Sequence, residues 1–358
     1  MKLIILILSI SLMTPGCRAK DKTAVITDVK SKSANSVSIM TFNVENLFDT
    51  THDSGKTDYT FLPISKKKSK KHISGCKKIP RKKWRDQCLY WDWNEKVLTE
   101  KLKRVSGSIK QVNNGLGPDI IVFQEVENIH ILERLRKDYL KSLGYKKSIL
   151  VEGKDRRGID VAFMSKLPAI GKPKLRYVSF KNISKKRKSD TRGILQQDFR
   201  FPDGTIVTGF ATHFPAPFHP YKLRVESYKY LSKLVSKLPK GRLAFAGGDF
   251  NTPTREDKKH KILNKYVKTH WLVPHEINCD KCLGTNYYAP KKSWSFLDMM
   301  LLSNSFKNSN WKLAKTFLAN KSKEQTTKKN RPNSFKVQGS KIYGVSDHWP
   351  LVVVLNKK

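Results

Sequence analysis

The chain is poor in acid. Its 358 residues include 30 Asp plus Glu against 71 Lys plus Arg, a formal net charge of +41. Such a surface repels itself and attracts polyanions: nucleic acid, an anionic membrane face or an acidic polysaccharide. Compositional drift toward lysine would tend to raise glutamate with it, and glutamate is not high, so a polyanionic partner is the better explanation. Long apolar runs are missing after the first residues, which excludes a later membrane-spanning helix. A repeat of 20–50 residues is missing, which excludes a solenoid or propeller. No break in composition marks a second domain, and the length allows one substantial core.

What is present starts at the N-terminus. Met1-Lys2 leads into a mostly apolar run from Leu3 to Met13, then Thr14-Pro15-Gly16-Cys17. One basic residue before a short apolar run is the pattern of a secretory signal, so export is expected, with 1–16 as the leader. Gly16-Cys17 resembles a bacterial lipoprotein cleavage box, with Cys17 lipidated and the protein anchored to a membrane. Thr14 and Pro15 depart from that box, and cleavage near Ala19 into a freely secreted protein is the alternative. Residues 17–36 read as a flexible tether and 37–358 as the folded domain, expected to be a monomer. Export would put Cys76, Cys88, Cys279 and Cys282 in an oxidising compartment. Local pairing, Cys76 with Cys88 and Cys279 with Cys282, is the simplest of three connectivities. A four-thiol zinc site is the alternative, although a single Cys-x-x-Cys with eleven residues between the other two thiols is a poor zinc pattern.

Periodicity predicts strands at Ser38–Phe42, Asp119–Phe123, Ile159–Met164, Arg242–Ala246, Ser295–Leu302 and Pro350–Leu355. Gly193–Phe201 and Thr205–His213 form a hairpin around Pro202-Asp203-Gly204. Asp92-Trp93-Asn94-Glu95 opens a helix with Val97, Leu98, Leu102, Val105 and Ile109 on one face. Asn128 caps a second helix, and a third runs from Tyr221 to about Leu238. The stretch from 54 to 90 is strongly basic and reads as an irregular insertion loop stapled by Cys76 and Cys88. In it Lys82, Lys83, Trp84 and Arg85 are candidates for substrate contact, because an aromatic face stacks on a base and the cations meet phosphate. Many strands with few long helices predict a sheet-on-sheet core with outer helices.

Polar residues recur at the ends of these strands: Asn43, Gln124-Glu125, His213, Asp249 and Asn251, Asp298, and Asp347-His348. That placement suits one cleft shared across a sandwich. Carboxylate and amide oxygens suit a hard divalent cation. A histidine beside them suits proton and charge handling on a phosphate.

Seven segments, in order, resemble the endonuclease/exonuclease/phosphatase superfamily, which includes deoxyribonucleases, abasic-site endonucleases, sphingomyelinases and inositol-polyphosphate 5-phosphatases. They are Met40-Thr41-Phe42-Asn43-Val44-Glu45-Asn46, Asp119 to Val126, Arg157-Gly158-Ile159-Asp160-Val161-Ala162, Thr212-His213-Phe214-Pro215, Gly247-Gly248-Asp249-Phe250-Asn251, Trp294 to Asp298, and Ser346-Asp347-His348. The resemblance implies an α+β fold, a four-layer α/β/β/α sandwich of two mixed β-sheets flanked by helices. It implies Glu125 as the principal metal carboxylate, with Asn43 and Asp347 helping to hold Mg2+ (Mn2+ or Ca2+ are alternatives). Glu45 matches a carboxylate of a second metal site. His348 would contact the scissile phosphate and Asp298 would orient it. Asp249 would orient or deprotonate water, Asn251 would hold a phosphate oxygen, and His213 matches the second histidine of the deoxyribonuclease and sphingomyelinase branches.

Ala216 stands where the abasic-site branch has Asn, which argues against repair. The basic insertion and Cys279-Asp280-Lys281-Cys282 resemble a bacterial exported subgroup. The expected activity is a nuclease acting on DNA, with RNA a further substrate, leaving 5′-phosphate and 3′-hydroxyl ends. The alternatives are a phospholipid phosphoesterase, for which Tyr287-Tyr288 and Trp294 would be a membrane-inserting hairpin, and a non-catalytic nucleic-acid-binding surface protein.

Overall fold

Two six-stranded sheets pack face to face in a computed structural model that describes residues 35–181, 183–184 and 190–358. The expected leader, Cys17 and nearly all of the tether lie outside the described residues. The first sheet contains β1 (Ser36–Leu47), β2 (Ile120–Val126), β3 (Ile149–Leu150), β4 (Asp160–Ser165), β13 (Trp311–Leu318) and β16 (Leu351–Lys357), in the order β13-β16-β1-β2-β4-β3. The second contains β5 (Ala169–Arg176), β6 (Ile194–Arg200), β7 (Ile206–His213), β8 (Leu243–Asp249), β9 (Trp271–Leu272) and β12 (Asp298–Ser303), in the order β5-β6-β7-β8-β12-β9. Each is mixed: β1 and β2 pair parallel, as do β7 and β8, while their other neighbours are antiparallel. Two small hairpins, β10–β11 (Asn286–Tyr288, Ser293–Ser295) and β14–β15 (Lys336–Gln338, Lys341–Tyr343), stand apart from the sheets.

Alternation along the strands builds the layers. Ile39, Ile120, Val122, Phe163, Phe199 and Phe245 point between the sheets. Met40, Phe42, Ile121 and Phe123 point outward, beneath helices α3 (Glu95–Lys110) and α4 (Ile129–Arg134). On the far side Phe210, Ala244 and Leu301 pack under the helix Tyr221–Ser236. The central strands are buried on both faces, which is why they read as continuous apolar runs. The expected four-layer sandwich is therefore present. Asn128 caps its helix as expected, accepting from Ile131 N, whereas α3 is capped by Asn94, accepting from Val97 N, and not by Asp92 as a capping box with Glu95 would have it.

Several local expectations are corrected. The stretch from 54 to 90 is ordered into short 3-10 turns and two helices, α1 (Lys70–Lys77) and α2 (Lys82–Tyr90), rather than an irregular loop. Buried contacts give these basic helices their order. Lys67 donates to the carbonyls of Thr60 and Trp91 at 2.7 and 2.6 Å, and the ring of His72 bonds the Cys88 carbonyl. β1 does not stop at Asn43, β8 includes Gly247-Gly248-Asp249, and β16 starts only after Asp347-His348. Cys76–Cys88 and Cys279–Cys282 are disulfides, which removes the zinc alternative.

Candidate active site

β1 and β2 run side by side with Asn43 opposite Gln124, and both then lose register. Glu45, Asn46 and Glu125 take positive φ angles of 51°, 62° and 64°. L residues are strained in that region, and such strain collects at functional sites. The bulge leaves Glu125 lining the cleft, with Oε2 accepting from Asn46 N at 3.1 Å. On the other sheet β7 sets His213 level with Asp249, and β12 sets Asp298 opposite Asp249. Gly248 allows this approach, since a Cβ there would lie 2.1 Å from the Thr212 carbonyl oxygen.

The two sheets meet through these side chains. Asn43 Nδ2 donates to Asp249 Oδ2 at 3.2 Å. His213 Nε2 lies 3.5 Å from Asp249 and 4.0 Å from Glu125. His348 Nδ1 bonds Asp298 Oδ2 at 2.6 Å, and its Nε2 is 3.9 Å from Asp347 Oδ1. The turn bearing Asp347 and His348 is tied to β1, with Ser346 Oγ donating to the Asn43 carbonyl. Asn251 N donates to Asp249 Oδ1, while one of its amide hydrogens goes to the Phe214 carbonyl. A cleft of about 270 Å³ opens over Glu125, His213, Asp249, Asn251 and His348, with an apolar wall that includes Phe180, Phe214 and Phe218.

Electrostatics assigns protonation states. Burial opposes charge on His348, but Asp298 and Asp347 overcome it and hold the imidazole well above the usual histidine range. Burial, then Arg192 and Arg157, hold His213 well below it. Burial pushes Asp249 up to about 7, with His348 pulling down and Asp298 adding to the rise. The cleft thus holds a charged imidazole and a neutral one on either side of a carboxyl poised near neutrality.

The site also contains cations that the sequence reading assigned no role. Arg192 Nη1 lies 2.8 Å from the His213 ring nitrogens, and Arg157 donates to Asn46 Oδ1. Lys101, fully buried on α3, donates to the carbonyls of Glu45 and Val345 at 3.0 and 2.7 Å. Arg157 stands in one of the seven segments, where its identity was the available signal. Arg192 follows a run of basic residues that hides it, and Lys101 lies on a helix face that looks apolar.

The oxygen-rich donors Glu125, Asp347 and the Asn43 amide fit a hard divalent cation. Asp249, Asp298 and His348 also bring ligand-type atoms within 4.8 Å of one another. The comparable trio His72, Cys76 and Cys88 is no metal site, because its thiols are locked in a disulfide. Glu45 commits its carboxylate to Ser334 Oγ, Phe335 N and Asp347 N, so it clamps the turn carrying Asp347. Of the four insertion residues singled out, Lys83 and Trp84 line a second cleft of about 550 Å³ with Tyr90, Phe335 and Asp347. Lys82 pairs with Asp86, and Arg85 donates to the Ile79 carbonyl.

A profile described as "Endonuclease/Exonuclease/phosphatase family" matches residues 88–222, which include Glu125 and His213. That stretch is less than half of the chain, and over it the chain is similar to the endonuclease/exonuclease/phosphatase superfamily. Among solved structures, D. rerio TDP2 carrying 14 humanizing mutations aligns over 91% of this chain and 100% of its own, with a TM-score of 0.56 and 12% identity. The mannosyl-6-phosphatase of Bacteroides thetaiotaomicron aligns over 89% and 99%, with a TM-score of 0.52 and 16% identity. At such identities the likeness shows the fold alone. The inositol phosphosphingolipids phospholipase C of Schizosaccharomyces pombe is 27% identical over 188 residues, 49% of this chain and 42% of that protein. The chain thus spans less than half the length of this curated relative.

Proposed function

We propose that this protein is an exported, divalent-metal-dependent phosphodiesterase that hydrolyses DNA, and RNA as well, with little sequence preference. The Asp298–His348 pair beside Asp249, in a cleft bordered by Glu125, is the observation that carries the chemistry. Mg2+, or Mn2+ or Ca2+ in its place, would be held by Glu125, Asp347 and Asn43, and when bound supplies neutralisation of the phosphate charge. His348, kept protonated by Asp298, donates to an oxygen of the scissile phosphate as charge builds there. Asp249, poised near neutrality, takes the proton of the attacking water. His213, held neutral beside Arg192, receives a hydrogen bond without adding a second positive ring. Asn251 and Arg192 orient the phosphate, and cleavage leaves a 5′-phosphate and a 3′-hydroxyl.

The net charge of +41 supports nucleic acid as the polymer bound. The second cleft supports it too, since Trp84 and Tyr90 are 46% and 71% exposed beside Lys83 and Lys336. The leader-like first residues support export, with Cys17 as the anchoring residue of a monomeric lipoprotein. The 27% identity to the fission-yeast phospholipase favours a second reading, hydrolysis of a phosphosphingolipid. Against that reading, the β10–β11 hairpin is no apolar wedge. Tyr287 lies under the Arg331 guanidinium, Trp294 packs on Trp349, and the tip carries Lys291 and Lys292. Incubation with supercoiled plasmid in Mg2+, Mn2+ and Ca2+ tests the proposal. Nicking and degradation are expected in at least one cation, and EDTA or His348→Ala should abolish them. Release of a phosphorylated headgroup from sphingolipid vesicles with intact plasmid would overturn it in favour of the lipid substrate.

A further inference from the structure

Between β7 and the helix Tyr221–Ser236 runs a short loop, 214–219, whose backbone is held from inside the molecule. Arg224, on that helix, is fully buried. Its Nη1 donates to the carbonyls of Pro215, Ala216 and His219 at 3.0, 2.9 and 3.3 Å, and its Nη2 also reaches His219 O at 3.3 Å. Nε and Nη2 pair with the two carboxylate oxygens of Glu256, on the helix Thr254–His260. That helix begins three residues after Asn251. One guanidinium therefore ties the loop after His213 to the segment after Asn251. Within the loop His219 N donates to Ala216 O at 2.9 Å and closes the turn.

What the held loop presents is an aromatic ring. Phe218 is 72% exposed, at the rim of the cleft lined by Glu125, His213 and His348. The His219 ring lies beside it, with centroids 4.1 Å apart. A single exposed aromatic is ordinary on a protein surface. One set on backbone that a buried ion pair fixes, beside a phosphate site, is a preformed platform, and it binds without losing freedom of its own. We infer that Phe218, with His219 beside it, stacks on the base of a nucleotide flanking the scissile phosphate, and that Arg224 with Glu256 is the pair that positions it. This subsite rests on the nuclease reading given above. A base fits better than a lipid tail because the wall is mixed. Phe180 and Phe214 supply aromatic surface, and Asp155, Asp190, Arg157 and Arg192 interrupt it with charge. A base offers a face to the rings and polar edges to the charges, whereas a hydrocarbon chain would leave those charges desolvated and unpaired.

Cleavage kinetics on a thymidine dinucleotide and on its two versions that each lack one base, in the cation that supports plasmid cleavage, test this. With the unaltered chain, removing the base on one side should raise KM roughly tenfold, about the value of one stacked base, and removing the other should do less. Phe218→Ala should raise KM for the intact dinucleotide by the same factor, hold kcat within about twofold and erase the difference between the intact and base-free substrates. Phe218→Trp should restore that difference. The side chain is exposed, so neither change threatens the fold. Arg224→Lys keeps the charge and loses the fork. It should shrink the base-dependent difference in KM and add nothing to it in the Phe218→Ala background, which a mere loss of stability would not produce. A base effect that survives Phe218→Ala, or no base effect or no turnover of the dinucleotide by a chain that degrades plasmid, would overturn the subsite and leave the nuclease reading standing. Hydrolysis of sphingolipid vesicles, with plasmid and dinucleotide both intact, would overturn the two together.

Discussion

In the catalytic cleft Asp249 and Asp298 lie inside the molecule, and so do the cations that balance the acids: Asp298 bonds His348, and Lys101 lies in the field of Glu45, Asp347 and Glu125. Between residues 54 and 90 the pattern is reversed. Twelve Lys or Arg stand against Asp58 and Asp86, and most of these cations face solvent. Chemistry on a phosphate needs a few charges fixed by two sheets, because small displacements spoil a transition-state contact. Attraction of a polyanion needs only a dense positive field, which short helices on a disulfide can present. Damage to the cleft should therefore affect every phosphodiester, and damage to the insertion should affect polymers alone.

The largest effect is expected from Asp298→Asn. Losing the neighbour that raises His348 should lower kcat/KM by roughly 10²-fold or more, for plasmid and for a small chromogenic phosphodiester alike. The pH profile carries the sign. Activity of the unaltered enzyme should rise with pH as Asp249, with its value of about 7, loses its proton. It should fall only where His348 deprotonates, above the usual histidine range. In Asp298→Asn the alkaline limb should move to lower pH, and the acid limb should move the same way, because Asp298 raises Asp249 as well as His348. An unmoved limb would mean that Asp298 does not set the charge of His348.

A middle effect is expected from Lys101→Met. The lysine ties the bulge of β1 to the turn before Asp347 by donating to the carbonyls of Glu45 and Val345. Its loss leaves both carbonyls and the Glu45 carboxylate without their cation, a cost of about 3 kcal/mol. Urea unfolding should show it as a lower midpoint with an unchanged slope. The smallest effect belongs to the insertion. Trp84→Ala should raise KM for single-stranded oligonucleotide roughly tenfold, about the value of one stacked base. The small chromogenic substrate should not notice the change. If both substrates suffer equally, the division of labour between cleft and insertion fails.

The sequence reveals the cleft better than its surroundings. Asn43, Glu125, Asp249 and His348 each lie within, at the end of or just ahead of an apolar strand, and those strands are legible because they are buried on both faces. β5 is hidden for the opposite reason. It is an edge strand, mostly exposed, with Pro173 in its middle, where only an edge tolerates proline. α1 and α2 are hidden because little in their lysine-rich sequence is periodic. Their order comes from Lys67, His72 and the Cys76–Cys88 bond, which are contacts between residues distant in sequence. The contacts of Glu127 and Asn128 with Asp49 and Asp53 escape notice because the two pairs lie some seventy positions apart and meet only when β1 and β2 pair.

Four residues beside the phosphate-handling groups, Glu45, Asn46, Glu125 and Asn251, occupy backbone conformations that glycine tolerates best. The local chain and the local chemistry therefore want different amino acids at the same positions. Replacing Glu125 with glycine would relax the backbone while deleting the carboxylate proposed to hold the metal. A library selected for heat tolerance alone would drift toward sturdier, inert proteins, so any effort to harden this enzyme has to screen for turnover from its first round.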